Sequence, residues 1–242
     1  MEWRDEGTIL AVRPHGETAA IAEVLTRDHG RHLGIVHGGR SRTRTPILQP
    51  GNAVAVTWRA RLDVHMGSLA VEPLRLRAGS VLSDPLRLDA LSSVCAVASF
   101  VLPEREPVAA FHERTESLCD AIVAGEGWLH DYAFWELALL EVSGLRLDLS
   151  ACAVTGAEAP DLSYVSPRTG RAVSRRGAGD WADRLLPLPR MLVGGPTTLA
   201  DVIAALDLTG HFLEHRLAPS LGDRPLPAAR GRFVEAVRRE RD

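Results

Sequence analysis

Asn52-Ala-Val-Ala-Val-Thr-Trp-Arg-Ala60 decides how the first third of this chain folds. Val54, Val56 and Trp58 fall on one side of an extended backbone, and Ala53, Ala55, Thr57 and Arg59 on the other. Side chains in a strand flip at every residue, so the pattern predicts a strand with one buried face. Upstream, Thr18–Thr26 and Arg31–His37 flank Asp28-His29-Gly30, a hairpin loop whose glycine can take a positive φ. Gly7–Arg13 opens the series and Ser68–Leu76 closes it. Pro73 inside that last strand predicts an edge or a bulge, because proline has no N–H for a ladder. Five short strands without a helix of useful length predict a small antiparallel barrel over residues 1–80.

Near Gly79 the period changes. Ser83-Asp84-Pro85 offers an N-cap and a first-turn proline. Leu91, Val94, Cys95, Ala98, Val101 and Leu102 then keep helical spacing up to Pro103. A second helix starts after Pro107, with Val108, Phe111, Thr115, Leu118 and Ile122 on one face. Trp128–Val142 is apolar nearly all round, as a central helix requires, and Gly144 closes it. Residues 150–196 are irregular and rich in Gly, Pro and Ser. Thr197–Leu208 and His211–Leu217 read as helices separated by Gly210, and about Ala228 to Arg239 as a final amphipathic helix. The expected class is α+β: a barrel domain over 1–80 and a mainly helical domain over 81–242.

Composition narrows the function. The 242 residues are 45% hydrophobic and 24% charged, which excludes a disordered or fibrous chain. The longest mainly apolar stretch, Val94–Leu102 with only Ser99 interrupting it, is too short to span a bilayer, and no apolar segment follows the acidic N-terminus, so a cytoplasmic protein without a membrane role is expected. Three cysteines without a Cys-x-x-Cys pair argue against a disulfide framework. There is no lysine; all 28 basic residues are arginine. Net charge is +3 over residues 1–80, −8 over 81–150 and +2 over 151–242, summing to the overall −3. That total excludes blanket histone-like binding but leaves room for a local basic surface.

The stretch richest in chemistry is His37-Gly38-Gly39-Arg40-Ser41-Arg42-Thr43-Arg44. Three arginines alternate with small hydroxyl residues, and no acid lies between Arg31 and Asp63. Arginine supplies charge and paired donors to phosphate, and serine or threonine adds hydroxyls. A solvated connection between strands would have a similar composition; Arg59 and Arg61, near the end of a strand, tilt the reading toward phosphate. Arg40, Arg42 and Arg44, helped by Arg31, Arg59 and Arg61, are therefore the candidate residues for holding a phosphate backbone. His29, His32 and His37 cluster in sequence, and His211 and His215 are four apart, but neither set has the order of a metal or hydrolase motif. Walker, dinucleotide and Gly-x-Ser-x-Gly signatures are all missing. Cys152-Ala-Val-Thr155-Gly156 and Ser174-Arg-Arg-Gly177 read as the two halves of a zinc ribbon in which only one of four ligand positions is cysteine, so no metal and no other cofactor is expected.

Together these phrases resemble a family: the bacterial DNA repair and recombination mediator RecO. The resemblance covers nearly the whole chain. It is carried by Gly30–Pro50 with its basic loop and Leu48-Gln49-Pro50, by Cys152-Ala-Val-Thr-Gly156, by Tyr164-Val-Ser-Pro-Arg-Thr-Gly170 and by Leu185-Leu-Pro-Leu-Pro189. It implies an N-terminal OB-fold and a helical C-terminal domain with a zinc-ribbon-like insertion, here degenerate, at about 150–196. Some family members keep four cysteines there. It further implies a non-enzymatic, nucleoid-associated protein that binds single- and double-stranded DNA and anneals complementary strands. Implied partners are the C-terminal tail of single-stranded DNA-binding protein and RecR, with which it helps load RecA. Residues 1–80 contain only Trp3 and Trp58 as aromatics, and Trp58 shares a face with Val54 and Val56. Base stacking in the barrel is then scarce, and binding should rest on arginine–phosphate contacts. A second reading stays open: a protein-interaction scaffold whose barrel does not touch nucleic acid, favoured by the acidic middle segment.

Overall fold

The structure, a computed structural model, describes residues 1–62, 64–158 and 161–240. Five strands form a closed barrel: β1 (Glu2–His15), β2 (Ala19–Thr26), β3 (Gly30–Val36), β4 (Ala53–Arg59) and β5 (Ser68–Arg75). Their order around the barrel is β1-β2-β3-β5-β4, with β4 closing back on β1, which is the OB-like arrangement. All pairings are antiparallel except the single bridge Ile35–Ser68, where β3 meets β5. The alternation in β4 has the expected outcome: Val54, Val56 and Trp58 are inside with Ile9, Val24, Val36, Leu69 and Val71, while Arg59 is exposed. Pro73 lies opposite Val54, beside a register shift, on a stretch of β5 paired only with β4. Its missing N–H therefore costs no ladder bond. Gly30 turns the β2–β3 hairpin at φ +66°, and a side chain there would run into the Glu106 carbonyl.

Strand gives way to helix at Leu76. A single turn, α1 (Arg77–Ser80), leads to α2 (Pro85–Val101) and α3 (Ala109–Ala124). Asp84 caps α2 by accepting the Arg87 N–H, with Pro85 at the first position. Both helices pack with the barrel: residues 1–126, with 227–233, make one compact unit, and 127–226, with the residues from 234 on, make the other. This grouping differs from the expected change of domain at residue 80, although the change of secondary structure falls there. α2 meets the barrel through buried apolar residues, Leu91 lying against Gly51 and the Cys95 sulfur against the Ile9 carbonyl. Charge adds to this: Arg27, Arg31 and Arg75 of the strands and Arg77 of α1 meet carboxylates of the acidic segment, in the pairs Arg27–Glu113 at 3.0 Å, Arg31–Glu104 at 3.7 Å, Arg75–Glu116 at 2.5 Å and Arg77–Asp120 at 2.7 Å. The +3 of residues 1–80 and the excess of acids over arginines in residues 81–126 thus lie in one unit.

The second unit is built round α4 (Trp128–Val142), which buries Trp128, Tyr132, Trp135, Leu139 and Leu140. Residues 150–196, expected to be irregular, carry short elements. β6 (Leu162–Val165), β7 (Ala172–Ser174) and β8 (Leu186–Pro187) make a three-stranded sheet in the order β7-β6-β8. α5 (Arg175–Ala178) and a 3-10 turn (Gly179–Arg184) link β7 to β8. α6 (Leu199–Phe212) begins with a capping box between Thr198 and Asp201. Gly210, read as a separator, is instead buried inside α6, which continues through a π-helical turn (Leu213–Leu217) into α7 (Ala218–Ser220). An interior glycine costs only about 0.5–1 kcal/mol against alanine, less than burial of Leu206, Leu208 and Phe212 returns. α8 (Ala228–Arg239) ends the described chain. Among the described residues, no helix is long and apolar enough to cross a membrane.

Candidate nucleic-acid interface

The basic loop leaves β3 at Val36 and is tightly built. Gly38 takes φ +65°, and Gly39 lies so close to β2 that a Cβ would be 2.8 Å from that of Ala20. The Arg40 N–H donates to the Thr18 carbonyl, and residues 41–48 wind through successive turns in which Thr45 and Leu48 donate back to Ser41 and Arg44. Asn52, fully buried, pins the far end: its Nδ2 donates to the carbonyls of Pro46 and Ile47, and its Oδ1 accepts the Ala78 N–H at 3.0 Å. Leu48 inserts into the barrel core. The loop is thus a fixed platform, and most of its conformational entropy is lost on folding rather than on binding.

On this platform the arginines divide. Arg42 is exposed and makes no salt bridge or side-chain hydrogen bond among the described residues. Arg40 is exposed and donates to the carbonyls of Gly16 and Glu17, so it is oriented across the β1–β2 turn without being neutralised. Arg44 is half-buried and meets only the Val71 carbonyl, at 3.5 Å. Among the described residues none of the three pairs with a carboxylate. Beside them lies an apolar groove of about 350 Å³ lined by Val12, Pro14, Ala20, Leu48 and Pro50, with Arg40 and Gln49 at its edge.

The other candidates lie elsewhere. Arg31 is only 15% exposed: it donates to Glu23 at 2.9 Å and, through Nε, to the Leu102 carbonyl at 2.7 Å. Its geometry is that of a structural ion pair, not of a free cation. Arg59 is exposed but held by both Glu2 oxygens at 2.9 and 3.0 Å. Arg61 is exposed and without a partner among the described residues. In the last helix Arg230 is buried, Arg232 faces Asp89 at 3.7 Å, and Arg238 is gripped by Asp207 and Glu235 at 2.7 Å each. A larger recess of about 680 Å³ on the barrel is lined by Arg4 and Arg27 but also by Asp5, Glu6, Asp28 and Glu72. Its charge is the wrong sign for a phosphate backbone.

Trp58 is fully buried and donates its Nε1–H to the Met66 carbonyl. Trp3 stacks on His29, with centroids 4.0 Å apart, and on Trp58, at 5.6 Å. The barrel therefore spends both its tryptophans internally.

Thr155, Ser174 and Gly177, the positions matched to lost ligands, do gather round Cys152. Its sulfur accepts from the Ser174 N–H at 3.2 Å, the Ser174 hydroxyl at 3.3 Å and the Thr155 N–H at 3.4 Å. Burial alone would raise the Cys152 thiol, but these donors bring it down to about 6. One sulfur, two hydroxyls and a glycine are not a zinc donor set. Among the described residues no three His, Cys, Asp or Glu side chains converge on a metal-sized point.

An OB-like barrel with a rigid arginine loop, joined to a mainly helical region, defines a protein of the nucleic-acid-handling class. Comparison with known proteins is specific. Residues 1–77 match the family model for the Recombination protein O N terminal domain, and residues 82–225 that for its C terminal domain. The DNA repair protein RecO of Dinoroseobacter shibae is 56% identical over 241 residues, covering the full length of both chains. Those of Ruegeria sp. and Roseobacter denitrificans are 52% and 53% identical, each covering 99% of both chains. The chain belongs to the RecO family, and its role lies in DNA repair and recombination.

Proposed function

We propose that the chain is a non-enzymatic DNA-binding mediator that holds single- and double-stranded DNA by its barrel loop. With RecR it helps load RecA onto strands coated by single-stranded DNA-binding protein, whose C-terminal tail it engages, and it anneals complementary strands. The single observation that carries the DNA-binding reading is the sorting of arginines. Arg40, Arg42 and Arg44 stand on a pinned loop with no carboxylate partner among the described residues, whereas Arg31, Arg59 and Arg238 are each neutralised by an acid. Arg61 extends the free set. Phosphate contacts carry no sequence information, so binding is sequence-independent and falls steeply with salt. The annealing, RecR and RecA roles and the tail contact rest on the family resemblance alone.

The test is a titration of fluorescent oligonucleotides at several salt concentrations. Replacing Arg40, Arg42 and Arg44 by Ala should make the slope of log affinity against log salt shallower by roughly two to three, since each lost contact is worth about 0.7 on single strands and 0.9 on duplex. A triple variant that binds like the parent would move the site away from this loop. A parent protein with no salt-dependent affinity at all would favour the scaffold reading.

A further inference from the structure

The structure contains one large aromatic that the fold does not use. Trp181 sits in the 3-10 turn Gly179–Arg184, which has no buried residue, and it is 63% exposed. Trp58, Trp128 and Trp135 are at most 5% exposed, and Trp3 is enclosed by His29 and Trp58. Gly179 at φ +48° swings the chain out of α5 into this turn, a conformation that side-chain-bearing residues rarely adopt. An indole left in water gains nothing from burial, so folding gives no reason for it.

Its surroundings point to a ligand. The Arg184 guanidinium lies over the Trp181 ring, 4.8 Å from its centroid, and with this one contact the residue is still 63% exposed. Arg175 and Arg176, on the short helix leading directly into the turn, are exposed and make no ion pair among the described residues. They line a recess of about 590 Å³ together with Thr155, Asp161 and Ser174. Asp180 and Asp183 leave the stretch from Arg175 to Arg184 with a net charge of only +1. Charge alone therefore makes it a weak magnet, and selectivity must come from the ring.

We propose that Trp181, flanked by Arg175, Arg176 and Arg184, is a second nucleic-acid contact, specific for single strands: a base stacks on the exposed indole and the guanidiniums take the neighbouring phosphates. Only an unpaired base presents a free π-face, so duplex gains nothing from the ring. This shares its ligand class with the barrel reading but uses a different unit of the chain, and either can fail alone.

Because Trp181 is the sole strongly exposed indole, its emission can be read in the full-length protein. Titrating the parent with oligo(dT) should quench the solvent-exposed, acrylamide-accessible part of the fluorescence. Trp181→Phe keeps a stacking ring and should bind within twofold of the parent while losing that quenching. Trp181→Ala should weaken oligo(dT) binding roughly fivefold or more, as expected for one lost stack, and leave duplex affinity within twofold. The triple Arg40, Arg42, Arg44 to Ala variant should still show the quench once saturated. Equal quenching in parent and Trp181→Phe overturns the proposal, as does Trp181→Ala binding oligo(dT) like the parent or losing single-strand and duplex affinity alike. Those results would leave the barrel reading intact.

Discussion

Arg31 and Arg42 lie eleven residues apart in the same basic stretch, and the structure gives them opposite duties that one pair of substitutions separates. Arg31→Met keeps an apolar stem but removes the guanidinium. Glu23, 7% exposed and 2.9 Å from the lost group, is then left as a buried carboxylate, and the Leu102 carbonyl loses its donor. Breaking a buried pair from one side costs about 3–5 kcal/mol; the Glu104 contact, at 3.7 Å and half exposed, adds little. A loss of about 3 kcal/mol corresponds to roughly 150-fold in an opening equilibrium. Native-state hydrogen exchange of β2 and β3 peptides reads it without assuming that both units unfold together. The double variant Glu23→Gln, Arg31→Met should recover at least half of the loss, since no charge is then stranded. Arg42→Ala should change protection by less than about 0.5 kcal/mol and lower the salt slope of DNA binding by about 0.7–0.9. The reasoning fails if Arg31→Met leaves exchange within threefold of the parent while reducing the salt slope, because Arg31 would then be a phosphate ligand rather than an internal tie.

Two further expectations concern titrating groups. Burial by itself would raise the Glu116 carboxyl, but bonds and charge from Arg77, with the Thr8 hydroxyl, hold it at about 2 against an ordinary 4.5. A depressed carboxyl stabilises the fold above its unfolded pKa, so exchange protection of the barrel should hold near neutrality and fall as pH drops from about 5 toward 2, by about 3 kcal/mol; Glu116→Gln should flatten that limb. Cys152, 4% exposed but with its thiol at about 6, should alkylate through local opening of its hydrogen-bonded ring, at a rate rising through that pH. Cys95 and Cys119, raised by burial, the latter to about 12, should react only after unfolding. Equal labelling of all three thiols in the native state would refute this.

Elements with a local cause were readable from the sequence. Alternation placed Val54, Val56 and Trp58 inside; Gly30 marked its hairpin; Asp84-Pro85 started a helix where it stands. Cys152, Thr155, Ser174 and Gly177, singled out by their spacing, meet in space as a hydrogen-bonded cluster. What was not readable depends on partners far along the chain. Arg27 finds Glu113, Arg31 finds Leu102, and Arg75 and Arg77 find Glu116. A sequence displays charge but not who neutralises it, so structural and available arginines looked alike. Such long-range pairing, with the apolar packing of α2, groups α2 and α3 with the barrel. Trp181 left one faint mark, an aromatic in a polar, glycine-containing stretch without apolar residues at strand spacing on either side.

The Cys152 cluster bears on how Trp181 is held out. A metal cage gains its rigidity from ligands drawn to one ion, with backbone N–H groups donating to the thiolates. Here the donors remain and the other ligands do not. Ser174 serves Cys152 with both its N–H and its hydroxyl, the Ser174 oxygen in turn accepts from Gly177 N–H at 3.0 Å, and Thr155 reaches the same oxygen at 3.3 Å. Gly177 is obligatory in this arrangement, since a Cβ would sit 2.8 Å from the sulfur. The hydrogen-bonded ring fixes the end of β7 and the start of α5, the two points from which the chain departs toward Arg175, Arg176 and the exposed turn. Orientation of that turn then rests on hydrogen bonds gathered on one sulfur. Chelators should leave it untouched, whereas alkylation of Cys152 strikes directly at its foundation.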